Sequence, residues 1–345
     1  MKILTLDGFS APNIGNAFYM NGARYLIKIC LPQAELFSLG DVSGNQWTSK
    51  ICQKNDFTYI QYTDIDYVVI TGPCLAKNIE RLYREIFDRL LKKKKTKLIL
   101  LSVSGYTYNK DEVMRCRSFL KKYPPFMLFT RDESAYNHYH DLAEISYNGI
   151  CTAWFVSDYF REIPVTMPPY ITMVFDSLTE PKVKILGNIH DHIQDSHVQI
   201  QFPINIHDNN FISKVVNRAQ FHLLPFFSIY SPSNIGEYQV IRPTHRSSYR
   251  YSYELFAKKN VYVSEAPDGY LNLYKNTSLN LTDRVHSAVV SLAFGRPTRI
   301  FTKSKRANLF DRVGAHKVKE EITYINQNRL IEEKEKLKEK FKSAF

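Results

Sequence analysis

The strongest constraint on the fold is a repeated alternation of apolar, strand-like segments with segments long enough to form a helix. In the first part of the chain, KILTLDG, DIDYVVITG, KLILLSVSG and FMLFT each precede such a helical segment. Parallel strands need a crossover connection, which is usually an α-helix and is almost always right-handed. The pattern therefore predicts an α/β fold with parallel strands.

A second array of strands and helices follows the Pro-rich segment REIPVTMPPY. Its predicted strands include YITMVFDS, KVKIL, EYQVI, NVYVS, SLNL and PTRIF, and its predicted helices lie around DGYLNLYKN and RVHSAVVSLAF. We predict two facing Rossmann-like domains in a GT-B-like arrangement. The N-terminal domain would span residues 1–160, a linker residues 161–170 and the C-terminal, donor-binding domain residues 171–318. A C-terminal helix would cover residues 319–345.

Charge and cysteine usage limit the partners and the compartment. The formal net charge of +12 indicates an anionic partner, which could be nucleic acid, a phosphorylated small molecule or an anionic membrane surface. The five cysteines are scattered and form no CxxC pair, as is typical of reduced cytosolic thiols. The N-terminal apolar run is too short for a signal peptide and no segment is long enough to span a membrane. These features favour a cytoplasmic location.

In two facing α/β domains, ligands bind beyond the carboxyl ends of the strands, so we looked for chemistry on the loops that follow strands. After the first strand, Asn13, Gly15 and Asn16 stand at the mouth of a helix, where backbone N–H groups can bind an anion. In TGPCL, Gly72 lets a ligand approach the backbone closely. In TRDESA, Arg131 precedes a helix and could face the cleft.

Two further loops are basic. VIRPTHRSSYR follows a strand and contains Arg242, His245, Arg246 and Arg250. FTKSKRANLF follows the predicted strand PTRIF and carries Lys303, Lys305 and Arg306. Guanidinium groups bind carboxylates and phosphates in a bidentate manner. We therefore predict that Arg242, His245, Lys303 and Lys305 help to form an anion pocket.

The segment SLNLTDRVH places Arg284 and His286 in what we predict to be the first turn of a helix. A cation there opposes the helix dipole and costs a few tenths of a kcal/mol or more. The cost is explained if an anionic ligand docks between the helix mouth and these side chains. His286 is also the side chain best suited to exchange a proton near neutral pH.

Two other groups of residues were considered. In VSEAPDGY, Glu265 and Asp268 could bind a hydroxyl pair of a ribose or sugar, and with Gly72 and Arg131 they are candidates for an acceptor side. The histidines of the central segment fit no standard zinc spacing, so we predict no metal site; they are His190, His192, His197 and His207.

At these motifs the chain resembles the polysaccharide pyruvyl transferase family. The strongest similarity is SLNLTDRVHSAVVSLAFGRPTRIFTKSKRANLFDRVG, which looks like the family's strand, Arg-x-His helix, Gly-x-Pro turn and basic loop. NIGNAFY and LFTRDESA are similar to two further family motifs. ITGPCL departs from the usual Gly-Gly pair at Pro73, and in NGICTAWF Cys151 and Thr152 replace a common Pro-Asp pair.

The resemblance implies a GT-B-like fold, phosphoenolpyruvate as the donor co-substrate without a further cofactor, and a sugar hydroxyl pair as the acceptor. It implies a cyclic pyruvate ketal as the product. Arg284 and His286 correspond to the family's Arg-x-His pair, and Asn13 and Gly15 match its first motif. His286 would handle the proton, with Arg284 and Arg242 holding the donor.

Two alternatives stay open at this point. A GT-B glycosyltransferase would also have a basic cleft, but for a nucleotide sugar. A non-catalytic binding protein for an anion or nucleic acid is compatible with the charge, although no nucleic-acid motif is present and we expect no nucleic-acid partner. The expected partners are phosphoenolpyruvate and a glycan or lipid-linked saccharide. The basic surface further favours peripheral contact with anionic lipid at the inner membrane face.

Overall fold

The first domain is built on a sheet of six parallel strands. The computed structural model describes residues 1–7, 13–40, 62–92, 95–176, 180–185, 193–196, 232–245 and 259–345. The strands are β1 (Lys2–Asp7), β2 (Glu35–Gly40), β3 (Tyr67–Leu75), β4 (Lys97–Gly105), β5 (Met127–Thr130) and β6 (Ile145–Asn148). Their order is β2-β1-β3-β4-β5-β6 and every pairing is parallel, as the sequence predicted.

Helices connect these strands and cover the sheet. They are α1 (Gly15–Cys30), α2 (Ile79–Phe87), α3 (Lys110–Lys122), α4 (Glu133–Tyr139) and the short α5 (Val156–Tyr159). The predicted strands at β1, β3, β4 and β5 are confirmed, whereas β2 and β6 were not predicted. Both are edge strands whose residues are exposed or only half-buried, so neither has the apolar run of a central strand.

The second domain contains a smaller sheet. Its strands, with those of a separate hairpin, are β7 (Tyr170–Val174), β8 (Lys182–Ile185), β9 (Ile193–Ser196), β10 (Asn234–Ile235), β11 (Tyr238–Pro243), β12 (Val261–Tyr262), β13 (Leu279–Thr282) and β14 (Thr298–Ile300). The order is β10-β11-β7-β13-β14, with β12 beside β11 and only β10 antiparallel. The predicted strand KVKIL exists as β8, but it pairs antiparallel with β9 outside this sheet.

Three helices complete the described part of the second domain and the C-terminus: α6 (Pro267–Asn276), α7 (Val285–Ala293) and α8 (Gln327–Lys342). The C-terminal helix begins at Gln327 and not near residue 319. His316–Lys319 form a 3₁₀ turn, and the Asn326 side chain then caps α8 by accepting from the Arg329 amide at 3.2 Å. No described helix is both long and apolar enough to cross a bilayer.

Helix α8 packs back on the first domain, and α1 packs between the two domains. The Phe341 ring lies 6.2 Å from that of Phe129, and the Phe18 ring on α1 lies 6.3 Å from that of Tyr274 on α6. Gly22 permits the close approach of α1 to the segment after β6, because a Cβ there would stand 1.9 Å from the Thr152 carbonyl oxygen. One apolar core therefore runs through both domains.

Candidate active site

The carboxyl ends of the two sheets meet in a cleft, and four of the predicted site residues lie together there. Arg131 follows β5 in the first domain, and its Nη1 lies 3.2 Å from Nε2 of His286 in α7. Gly15 opens α1 between two histidines. A Cβ on Gly15 would stand 3.0 Å from His245 Nδ1 and 3.3 Å from His286 Cβ. The structure thus brings together Gly15, Arg131, His245 and His286.

Arg131 is fully buried, and no carboxylate of the described residues binds its guanidinium. Its Nε donates to Ser104 Oγ at 3.0 Å, and Nη1 also lies 3.7 Å from Cys151 Sγ. The buried Nη2 has no hydrogen-bond partner among the described residues. The neighbouring Asp132 accepts instead from Tyr108 Oη at 2.8 Å and from the amide of Ala135. A buried charge without a partner is costly, so this guanidinium is poised for an anionic ligand.

Strand β4 positions Arg131 through an irregularity. Ser102 has φ = 59°, and the register between β4 and β5 shifts between Leu101 and Val103. A non-glycine residue in this region of φ is uncommon and is often found next to functional groups. The Ser102 Oγ accepts from the Thr152 amide at 2.9 Å, and Ser104, two residues on, holds Arg131. The sequence did not reveal the role of either serine, because an irregularity in a strand leaves no recognisable change in the alternation of its residues.

His286 is surrounded by positive charge. Burial lowers its pKa well below the usual value, and the charges of Arg131, Arg306, His245 and Arg284 lower it further. A guanidinium can only donate, so Nε2 of His286 accepts from Arg131, and in the neutral ring the proton sits on Nδ1. In the absence of a ligand, His286 is therefore neutral near pH 7.

Tyr19 forms a wall of the site that the sequence did not reveal. Its ring lies 5.0 Å from the His286 ring, and the Arg131 guanidinium lies 5.9 Å from its centroid. Gly72 is required behind this ring, since its φ is +79° and a Cβ there would stand 2.4 Å from Tyr19 Cζ. Gly72 thus allows close packing of Tyr19. In the sequence Tyr19 is indistinguishable from the other apolar residues of α1.

Arg284 is the residue immediately before α7 and not part of its first turn. Its Nε lies 3.2 Å from Asp176 Oδ2. The same carboxylate accepts from the amide of His245 at 3.0 Å and from the hydroxyl of Thr244 at 2.9 Å. Asp176 therefore offsets the positive charge of Arg284, which the sequence analysis found unfavourable at the N-terminal end of the helix. The side chain of the N-cap residue, Arg284, makes no capping hydrogen bond to α7, so it does not cover the positive end of the helix.

The basic loop after β14 contributes a residue other than those predicted. Lys303 and Lys305 are exposed, whereas Arg306 turns inward and lies 5.2 Å from the centroid of the Tyr106 ring. Its buried Nε has no hydrogen-bond partner in the described parts of the chain. Burial lowers the pKa of Arg306, and repulsion from Arg131 lowers it further against the opposing effect of Tyr106. We name Arg131, Arg284 and Arg306 the arginine cluster.

The predicted anion site at the mouth of α1 is not supported. The amide of Ile14 donates to the His245 carbonyl at 3.0 Å, and the amide of Gly15 donates to Asn13 Oδ1 at 3.2 Å. Those of Asn16 and Ala17 donate to backbone carbonyls of residues 13 and 14. The N–H groups on which the prediction depended are occupied within the protein. Asn13 and Asn16 instead shape the start of the helix, joined at 3.4 Å through their side chains.

Arg242 is bound to other groups of the protein, so its role is structural. It is buried and pairs with Glu180, at 2.7 Å from Nε to Oε2 and 2.5 Å from Nη2 to Oε1. It also donates to the carbonyls of Lys259 and Pro232. We therefore do not retain it as a donor ligand.

Glu265 and Asp268 are exposed near the start of α6, and their acceptor role stays a prediction. Arg246, Arg250 and the central histidines lie outside the described residues, and within those residues no three potential ligands gather to hold a metal.

A polar pocket of about 490 Å³ lies beyond the ends of β5 and β6. Its lining comes from α4, the end of β6 and the 3₁₀ turn after β14, and comprises Asp132, Glu133, Ser134, Asn137, Asn148, Asn308, Asp311 and Arg312. Asp132 adjoins Arg131 in sequence, and Asn308 is two residues from Arg306. Arg312 pairs with Glu333, so its charge is already offset. Every lining side chain can hydrogen-bond and none is apolar.

Two facing Rossmann-like domains with a buried basic site between them define a GT-B-type protein. Solved structures agree. MnaA of S. aureus, in complex with UDP, aligns with a TM-score of 0.52 and 12% identity, covering 99% of this chain and 91% of MnaA. A Listeria monocytogenes structure described as a UDP-N-acetylglucosamine 2-epimerase gives 0.52 and 10%, covering 100% and 89%. At such identities the likeness shows the fold alone.

The model of the polysaccharide pyruvyl transferase family matches residues 13–304. The chain therefore belongs to this family of transferases, as its motifs indicated. The match includes every residue of the arginine cluster except Arg306, together with both histidines. No curated protein sequence matches the chain.

Proposed function

We propose that this protein transfers pyruvate from phosphoenolpyruvate to a pair of sugar hydroxyls as a cyclic ketal during the synthesis of a cell-surface glycan. The observation that carries the proposal is the buried Arg131, which has an unpaired Nη2, contacts His286 and shares its surroundings with Arg306. Phosphoenolpyruvate has a phosphate and a carboxylate, and both are groups that guanidinium donors bind well. Family membership supports the same reaction class.

The proposed reaction needs one acid and a site that stabilises a leaving phosphate. The methylene carbon of phosphoenolpyruvate gains a proton and becomes a methyl group, and its C–O bond to phosphate breaks. Two C–O bonds form from the sugar hydroxyls. Of the two hydroxyl protons, one replaces the proton given to carbon and the other leaves with phosphate. His286 is the proposed acid, while Arg131 and Arg306 stabilise the phosphate as it departs.

Ligand charge would prepare His286 for this role. In the free site, burial and the arginine cluster keep its ring neutral. An anionic donor bound to Arg131 draws the guanidinium away from Nε2 and offsets the positive charges, so the pKa of His286 rises. The ring then takes up a proton on Nε2. Affinity for the donor should consequently fall as pH rises through the raised pKa of the bound state, because the bound state holds the extra proton.

The first prediction concerns donor binding. We expect phosphoenolpyruvate to bind the wild-type protein near neutral pH with net uptake of protons. Calorimetric titration in buffers of different ionisation enthalpy measures both quantities. UDP, GDP and CMP sugars are titrated in parallel, because the nucleotide-sugar alternative rests on the same basic cleft and MnaA contains UDP. Binding of a nucleotide sugar without any binding of phosphoenolpyruvate would replace the proposed reaction by glycosyl transfer.

The polar pocket is the proposed place for the acceptor sugar. Among the described residues the side chains of Glu133, Ser134, Asn137 and Asp311 make no hydrogen bond or ion pair, and all four line this pocket. Carboxylates and amides bind vicinal hydroxyls through paired hydrogen bonds, and pockets of a few hundred Å³ hold ligands of sugar size. Asp132 and Asn308 of its lining are close in sequence to Arg131 and Arg306, so we place the acceptor beside the donor.

The second prediction follows from this placement. Replacing Ser134 and Asn137 together by alanine should raise KM for the saccharide about 10-fold or more, because each lost hydrogen bond is worth about 1 kcal/mol. The Kd for phosphoenolpyruvate should stay within about twofold. Exchange of Asn78 for alanine, on α2 outside this pocket, is the matched control. An unchanged KM in the double variant would move the acceptor elsewhere, for example toward Glu265 and Asp268. Membrane contact and the cytoplasmic location remain predictions.

A further inference from the structure

A chain of buried hydrogen bonds runs from His245 into the second sheet. Nε2 of His245 lies 2.5 Å from Tyr274 Oη, and Ser287 hydrogen-bonds Tyr274 in turn. The amide nitrogen of Asn280 lies 3.0 Å from Ser287 Oγ, and its oxygen accepts from Thr172 Oγ1 at 3.0 Å. All five side chains are buried. One end of the network, at His245, reaches the active-site cleft.

The hydrogen bond between Tyr274 and His245 has a defined direction. A phenol is a more acidic donor than a neutral imidazole N–H, and an imidazole nitrogen is a more basic acceptor than a phenol oxygen. Tyr274 therefore donates to Nε2. Burial raises the pKa of Tyr274, so it keeps its proton, and burial together with Arg284 lowers the pKa of His245, so that ring stays neutral. Ser287 Oγ accepts from the Asn280 amide nitrogen at 3.0 Å, and its own proton can go either to Asn280 Oδ1, at 3.3 Å, or to Tyr274 Oη.

This direction fixes the tautomer of His245. With Nε2 occupied as an acceptor, the single proton of the neutral ring lies on Nδ1. Nδ1 faces the space at Gly15, where a side chain is absent, and no hydrogen bond from a described residue uses it. His286 differs, because its Nε2 accepts from a movable arginine and can become protonated. The two histidines are thus suited to different tasks.

We propose that His245 donates a hydrogen bond from Nδ1 to an anionic oxygen of the bound ligand, and that Tyr274 is the positioning residue that holds the proton on that nitrogen. The inference rests on the proposed function only for the identity of the ligand as phosphoenolpyruvate. A carboxylate or phosphate oxygen satisfies the geometry equally. The task of His245 is recognition of charge, while proton transfer belongs to His286.

The test compares Tyr274→Phe with Tyr270→Phe. Tyr270 lies on the same helix and hydrogen-bonds the carbonyl of Thr244 and the amide of Ser264, but not the imidazole nitrogens. We expect ¹⁵N NMR of the wild-type protein to show His245 with its proton on Nδ1, and Tyr274→Phe to lose that preference. Affinities for phosphoenolpyruvate and for inorganic phosphate should fall about 10-fold in Tyr274→Phe, in line with one charge-assisted hydrogen bond. Tyr270→Phe should retain both properties.

A second pair of variants keeps the inference testable if Tyr274→Phe folds poorly. His245→Asn places an amide N–H near the position of Nδ1 and should retain most of the phosphate affinity, whereas His245→Leu should lose it. A proton on Nε2 in the wild type, or equal phosphate affinities for the Asn and Leu variants, would overturn the proposal. Failure of the proposed function has a different signature: phosphate binds and depends on His245, but phosphoenolpyruvate is not turned over.

Discussion

Replacing Arg131 by methionine is expected to weaken the binding of phosphoenolpyruvate by about 10²–10⁴-fold. The estimate corresponds to the loss of two charge-assisted hydrogen bonds of about 1.5–3 kcal/mol each. The free energy of unfolding without ligand should stay the same or increase, because the substitution removes a buried charge that no carboxylate contacts. Calorimetric titration and denaturant unfolding measure the two effects separately.

Arg242→Met is the matched control, since it removes a second buried arginine that the sequence also assigned to the donor. It should reverse the pattern. Donor affinity should change by less than about twofold, while the free energy of unfolding falls by about 3–5 kcal/mol because Glu180 is left without its partner. If Arg131→Met bound phosphoenolpyruvate as tightly as the wild type, the arginine cluster would not be the donor site.

Replacing His286 by glutamine should reduce kcat by about 10²–10⁴-fold, which is the range for loss of a general acid. The Kd of the donor should change by less than about fivefold, because Arg131 and Arg306 remain in place. In the wild type kcat should fall as pH rises above the pKa of His286 in the donor complex, and the variant should lose this dependence. Initial rates of phosphate release across pH measure both effects.

His140→Gln provides the control for this experiment. His140 is exposed in the first domain, and its Nδ1 lies 3.0 Å from the Tyr136 carbonyl oxygen, away from the cleft. Its replacement should leave kcat and the pH profile unchanged. A His286→Gln protein with most of its activity would show that another group protonates the methylene carbon.

Much of the fold could be predicted because central parallel strands are buried on both faces and read as apolar runs. The helix containing His286 and the strand before it could be recognised for the same reason. Edge strands β2 and β6 could not, since their exposed or half-buried residues mix polar with apolar types and form no apolar run. The start of α8 was also misplaced, because charged residues before Gln327 continue the helical composition without joining the helix.

The residue types of the site could be predicted from the sequence, but the orientation of each side chain and its contact partners could not. Three basic residues follow β14, and only tertiary packing against Tyr106 decides that Arg306 points inward. Arg242 lies near the end of β11 and Arg131 directly follows β5, yet Arg242 contacts Glu180, 62 positions away in the chain, and Arg131 contacts His286, 155 positions away. Such distant pairings leave no local pattern. Of the N–H groups expected to be free at α1, that of Ile14 donates to His245 in the other domain and the others bond within residues 13–17.

The most direct test of the central claim is a product assay with the full-length protein, phosphoenolpyruvate and a panel of saccharides. We predict phosphate release that depends on one saccharide, with that saccharide gaining the mass of pyruvate less one water. Arg131→Met and His286→Gln should lose this activity, while Arg242→Met should retain it at temperatures where it is folded. Transfer from a nucleotide sugar to the same panel, with phosphoenolpyruvate left intact, would contradict the account.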